Sequence, residues 1–178
     1  MYIQVKMNAK TMRRSRAMPN LEGTTACASF VLRKTARAVT RLYDLAFQEF
    51  GIRSTQFTIL VGVAKTQPIS ISGLSELLLI DPTTLTRTLQ RLKKDALIQI
   101  SARSKMRQRF VTLTENGRET LARSLPSWRN AQKRFLDIAG AELWTAMRHE
   151  LERLARATSM LENENGKHAQ RLIYRRSL

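Results

Sequence analysis

The segment Ile80–Asp95, reading IDPTTLTRTLQRLKKD, constrains this chain more than any other. Asp81 suits a helix N-cap, because its carboxylate can accept from the unpaired amides of a first turn. Pro82 then falls at the first helical position, where its missing N–H costs nothing. Leu85, Leu89, Leu92 and Ala96 recur at helical spacing and make one apolar stripe. The other face carries Thr83, Thr84, Thr86, Arg87, Gln90, Arg91 and Lys94, with no acid before Asp95. Threonine is only a middling helix former, so helix stability does not account for a cluster of them at the start. Hydroxyls, glutamine and arginine reach base edges and phosphates, whereas carboxylates are repelled there. The segment therefore predicts a helix that pushes its N-terminal end into a DNA major groove. A solvated helix that is merely basic has the same pattern, and the surrounding sequence has to decide between them.

Upstream, ACASFVLRKTARAVTRLYDLAFQEFG is a long helical pattern with Gly51 as its stop. STQFTILVGVAKT predicts a shorter, mostly buried helix from Ser54, QPISI a loop with a short strand, and SGLSELLLI a second short helix capped by Ser72. Two short helices joined by the tight Ile80–Asp81–Pro82 turn, the second one basic, are a helix-turn-helix arrangement. Downstream, LIQISARSKMRQRFVTLT predicts strand, basic turn, strand, with Ile98 and Ile100 on one strand and Phe110, Val111 and Leu113 on the other. Its tip concentrates Arg103, Lys105, Arg107 and Arg109. Beside a helix-turn-helix such a tip is a wing, lying on the backbone or entering a narrow minor groove where negative potential attracts arginine. Thr114 caps a further long helix that contains Pro126 and ends at Gly140. A last amphipathic helix carries Leu143, Met147, Leu151 and Leu154 on one stripe.

Charge supports the same partner. The 178 residues carry a formal net charge of +17, which favours an anionic partner without specifying a fold. Hydrophobic residues make up 43%, enough for a core, and no apolar run reaches membrane-spanning length. The N-terminal arm is basic and acid-free and lacks the continuous apolar core of a signal peptide. Met7, Met12 and Met18 are alternative starts to Met1. One cysteine, with His149 and His168 far apart, leaves no metal-ligand spacing, so no metal or cofactor is expected. Nucleophile–base spacing, a glycine-rich phosphate loop and paired acids are all missing from the sequence, which argues against an enzyme.

The order of elements, with STQFTIL, DPTTLTRTLQRLKKDALI and FVTLTENGRETL as its most specific pieces, resembles the MarR-type winged helix-turn-helix regulators from about Cys27 to Ala157. The resemblance implies a mainly α fold with a small β wing and long N- and C-terminal dimerisation helices. The expected layout is a basic, disordered arm over 1–22, a single domain over 23–162 and a basic, loosely ordered tail over 163–178. Within the domain, the dimerisation helices span about 26–51 and 115–162 and the DNA-binding part about 53–114. Thr83, Thr84, Thr86 and Arg87 match the groove-reading positions, and Arg107 matches the wing arginine of the minor groove. Lys105 stands where the family often has a wing-steadying acid, and Leu79 where the turn often has glycine.

The resulting expectation is a cytoplasmic homodimer that binds a pseudo-palindromic double-stranded site and represses transcription, released by a small-molecule or oxidant signal. Gln90 joins the base-reading set, while Arg91, Lys94, Arg103, Lys105, Arg107 and Arg109 hold phosphate. The alternative is a non-specific basic nucleic-acid-binding protein, for packaging or RNA. The resemblance offers Cys27 as an oxidant-sensing thiol, since some members carry a peroxide-sensing cysteine near the start of the first helix. Against it stands the usual behaviour of a lone cysteine, a small buried apolar residue, which is the preferred assignment. Trp128, Phe135, Trp144 and Met147 line either an effector pocket or, the preferred assignment, the dimer core.

Overall fold

The computed structural model of the chain describes residues 20–102 and 108–176, with side chains to residue 161. Two units separate, residues 1–37 and 38–178. The elements are α1 (Ala28–Phe47), α2 (Ser54–Thr66), β1 (Ile69–Ser70), α3 (Ile71–Leu78), α4 (Pro82–Lys94), β2 (Ile98–Ala102), β3 (Arg109–Leu113), α5 (Glu115–Ala139) and α6 (Ala141–Arg176). The fold class is as expected, mainly α with a small antiparallel sheet in the order β1-β3-β2. In the register, Ile69 and Ile100 both face Val111 across the sheet, and Ile98 faces Leu113.

The core of the larger unit joins the helix-turn-helix to the sheet. Leu74 of α3, Leu85, Leu89 and Leu92 of α4, Leu60 and Val63 of α2, and Ile98, Val111 and Leu113 of the strands are all buried in one cluster. Fully burying such a side chain contributes about 1.5–3 kcal/mol relative to leaving it exposed, so α4 is held by its leucines rather than by helix propensity. Phe47 stacks on Phe57 at 4.4 Å, and Phe57 stands 6.5 Å from Trp128 of α5.

Local chemistry sets the helix starts. Asp81 accepts from the amides of Thr83 and Thr84, both at 3.0 Å, ahead of Pro82. Thr114 accepts from Gly117 at 2.9 Å. The cap of α3 is Ser70, whose hydroxyl accepts from the Gly73 amide, and not Ser72 as expected. Ser72 lies inside the helix, its hydroxyl 3.2 Å from that of Ser70. The turn between α3 and α4 is clamped by buried Ser75, which donates to the Ile80 carbonyl at 2.6 Å and whose own carbonyl accepts from the Ile80 amide at 3.1 Å. Leu79 takes the left-handed conformation there, φ 50° and ψ 42°.

Ala96 is a second correction. It does not extend the stripe of α4 but is exposed, with φ 54°, because the Leu97 amide turns back to the Leu92 carbonyl at 2.9 Å. That reversal ends the helix. The Thr114 hydroxyl then donates to the Ala96 carbonyl at 2.6 Å, and a Cβ on Gly117 would collide with the Leu97 carbonyl oxygen. Helix backbone continues in α6 to Arg176, well past the expected boundary at 162.

Candidate nucleic-acid interface

Positions on α4 follow from its buried stripe. With Leu85, Leu89 and Leu92 turned into the core, Thr83, Thr84, Thr86, Arg87, Gln90, Arg91 and Lys94 are all exposed. The Thr86 hydroxyl donates to the Pro82 carbonyl at 2.7 Å, so its oxygen keeps only an acceptor role toward a partner. Arg91 is engaged by Asp95, one turn on, with Nε to Oδ2 at 2.9 Å. Among the described residues Arg87 and Lys94 form no ion pair. Asp81, the single acid near the helix start, spends one carboxylate oxygen on two backbone amides. The surface thus offers short hydroxyls at its leading end and cations along its length. The partial positive charge of the helix N-terminus adds to the attraction for an anion.

The wing is described only at its base. Arg109, the first residue of β3, pairs with Ala102 and is exposed. Arg103, Lys105 and Arg107 lie outside the described residues.

Two further cations face the flank of α4, and the sequence did not single them out. Arg41 of α1 and Arg53, just before α2, line a groove together with Arg87 and Arg91. Nothing local marks them, since their relation to α4 is made by the fold alone.

Cys27, in the 1–37 unit, is exposed, so the buried assignment is corrected. Its amide donates to the Thr24 carbonyl at 3.2 Å, closing the short 3-10 turn Thr24–Ala26, and its carbonyl accepts from Val31 at 3.0 Å at the start of α1. The four aromatic and sulfur positions on the long helices separate. Trp128 lines a cavity of about 570 Å³. Phe135 and Trp144 meet edge to face at 5.0 Å, and Met147 is exposed. Among the described residues no group of three or more His, Cys, Asp or Glu could hold a metal ion. No described helix is long and apolar enough to cross a membrane.

Comparison with known proteins agrees with this arrangement. Residues 52–105 match the MarR family. No curated protein matches the sequence. Among solved structures, the transcriptional regulator MosR of M. tuberculosis, in complex with DNA, is 29% identical over 75% of this chain and 97% of its own, with a TM-score of 0.69. AbsC, a MarR family transcriptional regulator from Streptomyces coelicolor, is 23% identical over 80% of this chain and 99% of its own, with a TM-score of 0.66. A mutant MarR from E. coli, complexed with operator DNA, is 17% identical over 76% of this chain and 99% of its own, with a TM-score of 0.68. The last two identities are too low to show more than a shared fold. The helix-turn-helix segment thus matches the MarR family, and over most of its length the chain has the winged helix-turn-helix fold of solved MarR-type regulators.

Proposed function

We propose that the chain is a homodimeric, sequence-specific double-stranded DNA-binding regulator and that it represses transcription. The observation that carries this is the outer face of α4, where the exposed side chains of the threonines, Arg87 and Gln90 bond to no carboxylate among the described residues while the leucine stripe is buried. Two copies related by a two-fold axis would set two such helices into successive major grooves, about 34 Å apart. The unpartnered apolar side chains of α6, Leu143, Met147 and Leu154 among them, fit burial by a second copy. Arg103, Lys105, Arg107 and Arg109 are assigned to phosphate or minor-groove contact, and the basic arm and tail to affinity without specificity.

A competition assay tests the reading against non-specific packaging. Excess random duplex leaves a specific regulator on a palindrome selected from a randomised pool, and strips a protein that binds by charge alone. Arg87→Ala should weaken binding by about 1–3 kcal/mol and relax one position of the selected site. Equal weakening on all sequences would make Arg87 a phosphate contact. Repression itself is checked in cells, where deleting the encoding gene should raise transcription from the promoter that holds the site; a fall would make the protein an activator.

The 570 Å³ cavity suits a small-molecule signal. It is lined by Tyr43, Phe47, Phe57, Val61 and Trp128, with the cation of Lys65 beside them. The Tyr43 hydroxyl donates to Gln132 Oε1 at 2.6 Å, and burial raises its pKa, so it stays a neutral donor. A planar apolar acid fits that lining. In a Trp144→Phe background, quenching of Trp128 by an added aromatic carboxylate should accompany release of DNA. Quenching without release would separate the cavity from regulation.

A further inference from the structure

Beside α4 lies an open groove of about 940 Å³, walled on one side by the end of α1 and the start of α2 and on the other by the flank of α4. Its lining holds four arginines, Arg41, Arg53, Arg87 and Arg91, against one carboxylate, Asp44. Asp44 is largely occupied. One oxygen accepts from the Ser54 amide at 2.7 Å, and the other stands 3.7 Å from Arg53, a loose pair. Among the described residues Arg41 and Arg87 have no ion-pair partner. Like charges gathered in a concavity repel one another and focus a positive field outward, an arrangement that an anionic occupant stabilises. Guanidinium groups match phosphate oxygens in bidentate geometry.

The groove is continuous with the candidate interface, since Arg87 and Arg91 belong to both. We propose that it seats the sugar–phosphate strand bordering the major groove that α4 enters, which makes Arg41 and Arg53 DNA contacts from outside the helix-turn-helix. This rests on the reading of α4 as the groove-entering helix. On insertion, one wall of the major groove must pass along the flank of α4, and this flank is the one that faces Arg41 and Arg53. The backbone strand thereby fits between two walls that each carry two arginines.

The test uses the full-length protein with two duplexes, one selected by the wild type from a randomised pool and one scrambled. Arg41→Ala and Arg53→Ala should each flatten the slope of log affinity against log salt by about 1.8, about 0.9 for each copy in the dimer, on both duplexes, with base preference unchanged. Arg41→Lys should restore most of the slope. Arg41 is exposed and has no ion-pair partner among the described residues, so an unchanged melting curve is expected to accompany the loss. An unchanged slope in both alanine variants overturns the proposal, even where Arg87→Ala still relaxes one base position and the reading of α4 stands. Conversely, a protein that selects no sequence but loses slope in Arg41→Ala supports the groove while sinking the base-reading role. Tripolyphosphate titrated against the free protein separates the remaining source of the same chemistry. Saturable binding lost in Arg41→Ala, together with an unchanged duplex slope, assigns the groove to a free phosphate ligand and removes the DNA backbone from it.

Discussion

Helices α4 and α6 carry the same kind of apolar stripe and meet opposite fates. In α4, Leu85, Leu89 and Leu92 are 0%, 1% and 0% exposed, sealed by strands and helices of their own chain. In α6, Leu143, Met147, Leu154 and Met160 are 58%, 42%, 49% and 66% exposed. Periodicity states that a face is able to be buried; it does not say by what. The stripe of α4 is short and ends where Leu97 turns back, so the chain itself can close over it. The stripe of α6 is spread along a helix that reaches Arg176, and its described part meets no comparable sheet or helix pair. One face is therefore an intramolecular core, and the other is the face that the proposed second copy would cover.

The largest expected effect tests that division directly. Leu89→Ala should lower chain stability by about 2–5 kcal/mol, the usual cost of emptying a buried leucine site, at every protein concentration. Leu154→Glu touches a half-exposed side chain and should leave the core intact. Its effect belongs to association: the wild-type melting temperature should rise with protein concentration, and the variant should sediment as a monomer and lose that rise. Equal destabilisation by Leu154→Glu at all concentrations would erase the contrast between the two helices.

Next comes the joint between the winged unit and α5. Gly117 is buried in the first turn of α5, where any side chain would run into the Leu97 carbonyl. The neighbouring atom is backbone, pinned by the Thr114 amide at 3.2 Å, so it cannot swing aside as a side chain would. Gly117→Ala should destabilise by about 1–3 kcal/mol through overpacking. Urea denaturation followed by circular dichroism measures it, and a neutral result would show that the end of α4 and the start of α5 move apart at little cost.

How much of this was legible in sequence depends on how far each cause reaches along the chain. The start of α4 needed only Asp81 and its next three residues, and the cap of α5 only Thr114 to Gly117. The outward set from Thr83 to Lys94 followed from the leucine spacing within one helix. The Ser70 cap was missed by two positions, because Ser70 and Ser72 are chemically alike and only the backbone path distinguishes them. Ser75 was missed because a serine in a short amphipathic helix looks like a solvent residue until its hydroxyl is seen on Ile80. Arg41 could not be read at all, being brought beside Arg87 only by folding. Ala96 fitted the stripe by spacing, and what removes it from the helix is in part Thr114, 18 residues away.

The smallest expected effects sit at the two ends of α4. Leu79, before it, and Ala96, after it, have φ of 50° and 54°, a conformation that L-residues adopt reluctantly. The steric cost is about 1–2 kcal/mol per residue, and glycine escapes it while adding about 0.5–1 kcal/mol of unfolded-chain entropy to be lost on folding. Ala96→Gly gives up almost no packing, since Ala96 is exposed, and should stabilise by about 0.5 kcal/mol. Leu79→Gly gains the same relief but surrenders the part of its side chain that is covered, 57% being exposed, so its net effect should lie nearer zero. Both substitutions leave the outer face of α4 untouched. DNA affinity should therefore hold in each, with the shift read from chemical denaturation midpoints. A clear loss of stability in Ala96→Gly would mean that the left-handed turn after α4 carries no strain, and that the buried leucines set the position of this helix alone.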